Sequence, residues 1–207
     1  MAGYNTHLAI HKEFIRKNPG VVKDEQAFFD GAVMADLAKD KDFTHSFFRR
    51  TEESNMITRL REKINLEKFI SNDPMDNDLS LGIALHLLTD KVYYNYDKFF
   101  SDEYLLSVDL KQFQKEHGQT MVTLEPQVAA LHGVSFDMTS PEVYEALVAE
   151  LKSRKAATAL SPQEQPMKNT IFSIENLTQF IDEVSSMDLQ AIISQIKSNS
   201  QEHEMSN

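Results

Sequence analysis

Residues 77–100 read NDLSLGIALHLLTDKVYYNYDKFF, and this stretch decides the fold. Leu79, Ile83 and Leu87 recur at helical spacing with further apolar residues around them, so the segment is apolar on nearly every side until Asp90. A helix of that kind has to be covered by neighbours all round. The expectation is a central buried helix over about 77–100 in an all-α, multi-helix bundle. Within it, His86 and Asp90 lie about one helical turn apart and share a face. A carboxylate in so apolar a setting is costly unless it is paired or bound to a metal. Two readings fit this spacing: a buried histidine hydrogen-bonded to its aspartate, or two ligands of one ion.

Upstream, residues 6–17 carry Leu8, Ile10, Phe14 and Ile15 among polar groups and stop at Asn18-Pro19-Gly20, which predicts a first helix. Asp24 to about Ala38 reads as a buried helix in which Gly31 asks for close packing, followed by the charged turn Lys39–Asp42. A short element around Phe43–Phe48 leads to a helix from Glu52 to Ile70, broken at Ser71-Asn72-Asp73-Pro74. Downstream, helices are predicted at about 108–132, 141–156 and 173–198, the last two opened by Pro141 and by Ser173-Ile174-Glu175. Residues 156–170 read as a polar loop, and Met121–Leu124 is the one place where a strand competes. The expected organisation is one helical domain over 1–198: residues 1–100 carry the metal site, 101–198 complete the fold, and 199–207 form a disordered tail.

Composition narrows the chemistry. With 21 basic against 32 acidic side chains the formal charge is −11, which disfavours a broad nucleic-acid surface but not a small phosphorylated substrate held through a metal. There is no cysteine, so any metal must be held by His, Asp or Glu. No run approaches the length of a transmembrane helix and the start shows no apolar signal region, which makes a cytoplasmic location the expectation. Oligomeric state is not written in the sequence.

Other candidate groups lie upstream of the His86/Asp90 turn. Asp36 is flanked by apolar residues and is either a buried partner or a ligand, with Asp30 on the same helix as the competing acid. His7 opens the first helix. His11, one turn on, is followed by Lys12 and Glu13 and reads as a solvated edge residue. His45 lies among Phe43, Phe47 and Phe48, which fits a half-buried histidine as well as a ligand. Tyr93, Tyr94 and Tyr96 either wall a substrate pocket or simply pack, the commoner fate of aromatics at the end of a long helix.

Taken in order, Thr6-His7, Gly31 through Asp36, Thr44-His45, and Gly82 through His86 to Asp90 resemble the zinc-dependent phospholipase C family, including its uncharacterised bacterial branch related to the single-strand-specific nucleases. The likeness covers roughly the first half of the chain. It departs from the family at Ala35, where many members have proline, and at Val92–Tyr96, where they have a further histidine. No clear later His-x-x-x-Glu follows, and His132 and Glu142 are too far apart in sequence to replace it.

The resemblance implies a phospholipase C/nuclease-like bundle in which His7, Asp36, His45, His86 and Asp90 hold a divalent transition metal, zinc above all, with iron or manganese as alternatives. It implies hydrolysis of a phosphoric ester, on a small phosphodiester or a lipid headgroup. Asp90 or Asp36 would act as general base and Lys91 would face the phosphate. The alternative is a non-catalytic helical protein in which the same residues hold a structural metal or only a buried His/Asp network. The helical His-Asp phosphohydrolases rank behind both, because the chain contains no His-Asp dipeptide.

Overall fold

The computed structural model describes residues 2–38, 64–99, 110–157 and 173–205. Among these residues the structure is an all-α multi-helix bundle with no strand. The helices are α1 (Tyr4–Lys17), α2 (Glu25–Leu37), α3 (Leu66–Asn72), α4 (Asp78–Tyr94), α5 (Leu110–His132), α6 (Pro141–Ala157), α7 (Ile174–Ser185) and α8 (Leu189–Met205), with a 3₁₀ turn at Phe136–Met138. No helix among the described residues is long and apolar enough to cross a membrane.

Helix α4 is central, as its all-round apolarity requires: Leu81, Ala84, Leu85, Leu87 and Leu88 are buried together with His86, Thr89 and Asp90. It starts where Asn77 caps the amide of Ser80, with Asp78 in the first turn to complement the helix dipole. It ends at Tyr94, earlier than the predicted 100. The Asn95 side chain donates to the Lys91 carbonyl, and a turn from Tyr96 to Phe99 folds Phe99 against Tyr93 and Phe180. The aromatics after Asp90 belong to this packed end. Tyr93 is fully buried, and burial raises its phenol well above the ordinary value.

The closest helix pair is α2 against α4, and glycine makes it possible. A Cβ on Gly82 would lie 2.3 Å from the Phe28 carbonyl oxygen, and one on Gly31 would lie 2.6 Å from that of Leu79. Gly31 therefore does the packing that its place in the sequence predicts. Gly82→Ala is expected to destabilise the fold by about 3 kcal/mol, because the clash is with backbone, which cannot rotate aside. A lowered urea midpoint at unchanged slope would register it; an unchanged midpoint would mean the two helices separate freely.

Helix α1 lies in the angle between α2, α4, α5 and α7. Its lysines complete neighbouring helix ends: Lys12 Nζ donates to the His132 and Gly133 carbonyls at 2.8 Å, closing α5. Lys17 Nζ reaches the Asp182 carbonyl and carboxylate and the Ser185 and Ser186 hydroxyls, closing α7. This closure explains a difference from the sequence. The predicted helix 173–198 is two helices, with Ser186–Asp188 between them and Asp188 capping the amide of Ala191 at the start of α8.

Helix α8 runs through Met205, beyond the Ser198 limit read from the sequence. The expected helix 52–70 is represented by α3, which begins only at Leu66 because Asn65 caps the amide of Lys68. Its earlier part lies outside the described residues. Met121–Leu124 is helical.

Candidate metal centre

The site is built where α1 crosses α4. On α4 the helical period sets Gly82, His86, Asp90 and Tyr93 on one stripe. The glycine lets α2 approach, and the approach brings the Ala32 carbonyl to 2.7 Å from His86 Nδ1. A carbonyl only accepts, so Nδ1 carries the proton and the lone pair of the neutral ring lies on Nε2. Fixing one ring nitrogen on a backbone carbonyl is the usual support of a metal-ligating histidine.

Helix α1 brings His7, fully buried, its ring stacked on that of His86 with centroids 3.9 Å apart and planes 15° from parallel. Neither ring nitrogen of His7 has a hydrogen-bond partner among the described residues. His7 Nε2 is 3.4 Å from Asp90 Oδ1, and His86 Nε2 is 3.7 Å from Asp90 Oδ2. Both separations exceed those of good hydrogen bonds, roughly 2.7–3.2 Å. Asp90 Oδ1 also accepts the Ala2 amide at 3.0 Å. Burial acts to raise the Asp90 carboxyl, but the close approach and charge of His7, with His86 behind it, hold it down to about 2. The carboxylate is ionised at neutral pH.

His7, His86 and Asp90 thus offer three donor atoms within 4.8 Å of one another. Tetrahedral coordination at roughly 2.0–2.1 Å sets neighbouring donors ~3.3 Å apart, close to the two histidine–Asp90 gaps and wider than hydrogen bonds. Two imidazoles and one carboxylate suit zinc, iron or manganese. The donor types and their proximity suit a divalent transition metal, which both imidazoles reach once the stacked rings turn their in-plane lone pairs toward one point.

The other predicted site residues are not part of this three-donor set among the described residues. Asp36 is buried on α2, one turn past Ala32, but is not among the three clustered donors. Asp30 accepts the Ser140 amide at the start of α6, which removes it as the competing acid. His45 lies outside the described residues. His11 is not solvated as its sequence neighbours suggest: it is fully buried, with Nδ1 2.8 Å from the His7 carbonyl and Nε2 2.9 Å from that of Gly82, and it ties α1 to α4. Burial outweighs both carbonyls and lowers its pKa to about 3, so the ring is neutral. Lys91 pairs with Glu67. Together they line a cavity of about 480 Å³ between α3, α4 and α8, floored by Leu66, Leu88 and Ile192, on the face of α4 opposite Asp90. His132 sits 3.8 Å from Glu13 at the end of α5, and Glu142 lies in the first turn of α6.

Comparison with protein-family models, curated proteins and solved structures finds no match to this chain. The site is therefore read from its own residues, two of which the sequence reading passed over. His117 on α5 meets the Tyr93 hydroxyl at 2.9 Å, and burial lowers its pKa to about 3. Glu125, two turns further along α5, accepts the Asn5 and Thr6 amides and the Thr6 hydroxyl. The signal for both is the i, i+8 spacing of ionisable groups on one helix face, and such spacing is too common on solvated helices to mark a site.

Proposed function

We propose that this chain binds a divalent transition metal through His7, His86 and Asp90 and acts as a phosphoric ester hydrolase on a small phosphodiester or lipid headgroup. The observation that carries the reading is the buried three-donor set, in which the Nδ1 contact to Ala32 turns His86 Nε2 toward Asp90. Three protein ligands among the described residues match the count typical of catalytic rather than structural zinc sites. When bound, such an ion supplies Lewis acidity toward a phosphoryl oxygen and a water that ionises near neutral pH. The chain's own part is to hold the donors. The Ala32 carbonyl fixes the His86 ring and the Ala2 amide fixes the Asp90 carboxylate. With Asp90 in the donor set, Asp36 is the acid proposed for proton transfer.

One observation favours a second reading. His7, His86 and Asp90 are each 0% exposed, and a substrate must reach the ion. The same donors would then hold a structural metal in a non-catalytic protein.

Protein purified without chelator, or loaded with zinc and desalted, is expected to carry about one equivalent of metal, because several deprotonated ligands act together. Elemental analysis showing less than about a tenth of an equivalent would refute both metal readings and leave a buried polar network.

A further inference from the structure

The start of α1 is capped in an unusual way. Gly3 stands at the N-cap position and has no side chain with which to bind the first amides of the helix. The missing acceptor comes from α5. Glu125 Oε2 accepts the Asn5 amide at 2.6 Å and the Thr6 amide at 3.3 Å, while Oε1 accepts the Thr6 hydroxyl. The Asn5 side-chain amide adds a bond to the Glu125 carbonyl at 3.1 Å. Gly3 has φ −81° and ψ 166°, a conformation open to any residue, so its backbone does not call for glycine. Space does: a Cβ there would lie 2.0 Å from the Glu125 Cδ. The carboxyl group fills the volume that a capping side chain would need.

We infer that Glu125 is a positioning residue for the metal centre, a cap supplied by α5 that fixes the first turn of α1 and with it His7. The inference rests on the metal reading above. His7 directly follows the clasped residues Asn5 and Thr6, and its own amide bonds to the Gly3 carbonyl at 3.0 Å. The clasp therefore sets the rotation and depth of the one donor that does not come from α4. His7 gets no such support from its ring, since neither nitrogen is held by a hydrogen bond among the described residues. For His86 that service is done by Ala32; for His7 it is done through the backbone, by Glu125.

Zinc affinity of the full chain, measured by competition with a chromophoric chelator, tests this. Glu125→Ala is expected to weaken zinc binding by about tenfold, the lower end of what loss of an outer support does to a metal site. Glu125→Gln keeps an acceptor oxygen and should recover part of the loss. Gly3→Ala should imitate Glu125→Ala, because the new methyl displaces the carboxyl, yet add nothing in the Glu125→Ala background, where the space is free. Lys12→Met, which loosens the same α1/α5 contact at its other end, should lower stability and leave zinc affinity unchanged. Wild-type protein that takes up no zinc would refute the metal reading and this inference together. Wild type that binds zinc while Glu125→Ala keeps its affinity, or Lys12→Met weakening it equally, would refute the role of Glu125 alone. If Glu125→Ala does not fold, the Gly3→Ala variant decides: unchanged affinity there overturns the inference.

Discussion

Asp90→Ala is expected to empty the metal centre and lower the thermal midpoint by ~10 °C. The substitution removes the only carboxylate of the clustered donors and leaves the Ala2 amide and two buried imidazoles facing a void. Breaking a buried ionic group from its partners typically destabilises by about 3 kcal/mol, and a chain of this size shifts by roughly 3 °C for each. His86→Ala should lose metal with it, since it removes the donor that Ala32 holds in place. Metal content and midpoint together separate the readings. Full metal in both variants would exclude these residues as ligands, whereas lost stability at unchanged metal content would support a hydrogen-bonded pair. Acid gives an independent check on metal-free protein. The Asp90 carboxyl is held below its ordinary 3.8, at about 2, so its stabilisation is complete above roughly pH 4 and fades as the pH falls toward 2. Asp90→Ala should lack that component of the acid transition.

The all-helical architecture and the central helix were legible because their signals are local. Apolar residues all round 79–88 leave no other placement for that segment, and Gly31 announces a close approach by its position in a buried run. The His86/Asp90 pair was legible for the same reason, one turn of one helix. What the sequence hides is which residue from another element arrives beside it. His7 and His11 have equal local claims, and only the packing of α1 on α4 turns the first toward Asp90 and the second toward Gly82. Lys91 stands next to Asp90 in sequence, yet one residue's step of about 100° round the helix turns it away from the site, where it meets Glu67. Helix ends were misjudged where the stop comes from a distant partner: the α7/α8 break depends on Lys17, far away in the chain. Glu125 escaped notice because a helix is normally capped by its own N-terminal residue, and here the capping group belongs to another helix.

Asp90→Asn is expected to abolish metal-dependent hydrolysis while leaving the fold intact, and this combination distinguishes the proposed functions. Asparagine keeps the size of the side chain and one oxygen, which can still accept the Ala2 amide. Its amide nitrogen replaces the second carboxylate oxygen and can donate toward His86 Nε2, whose lone pair is set by the Nδ1 contact to Ala32. The variant is thus satisfied as a metal-free network, unlike Asp90→Ala. For a hydrolase, turnover of an aryl phosphodiester such as bis-p-nitrophenyl phosphate with added zinc or manganese should fall by about a hundredfold or more, since a charged donor is lost from a site that works by charge. For a structural metal, Asp90→Asn should lose the ion and the stability it confers, with no metal-dependent rate in either protein. For a simple polar network, neither metal nor rate changes and the midpoint stays within a few degrees. Equal rates in wild type and variant, or no metal-dependent rate in wild type across several phosphodiesters and phospholipids, would end the hydrolase reading. Metal content measured on the same samples then decides between the other two.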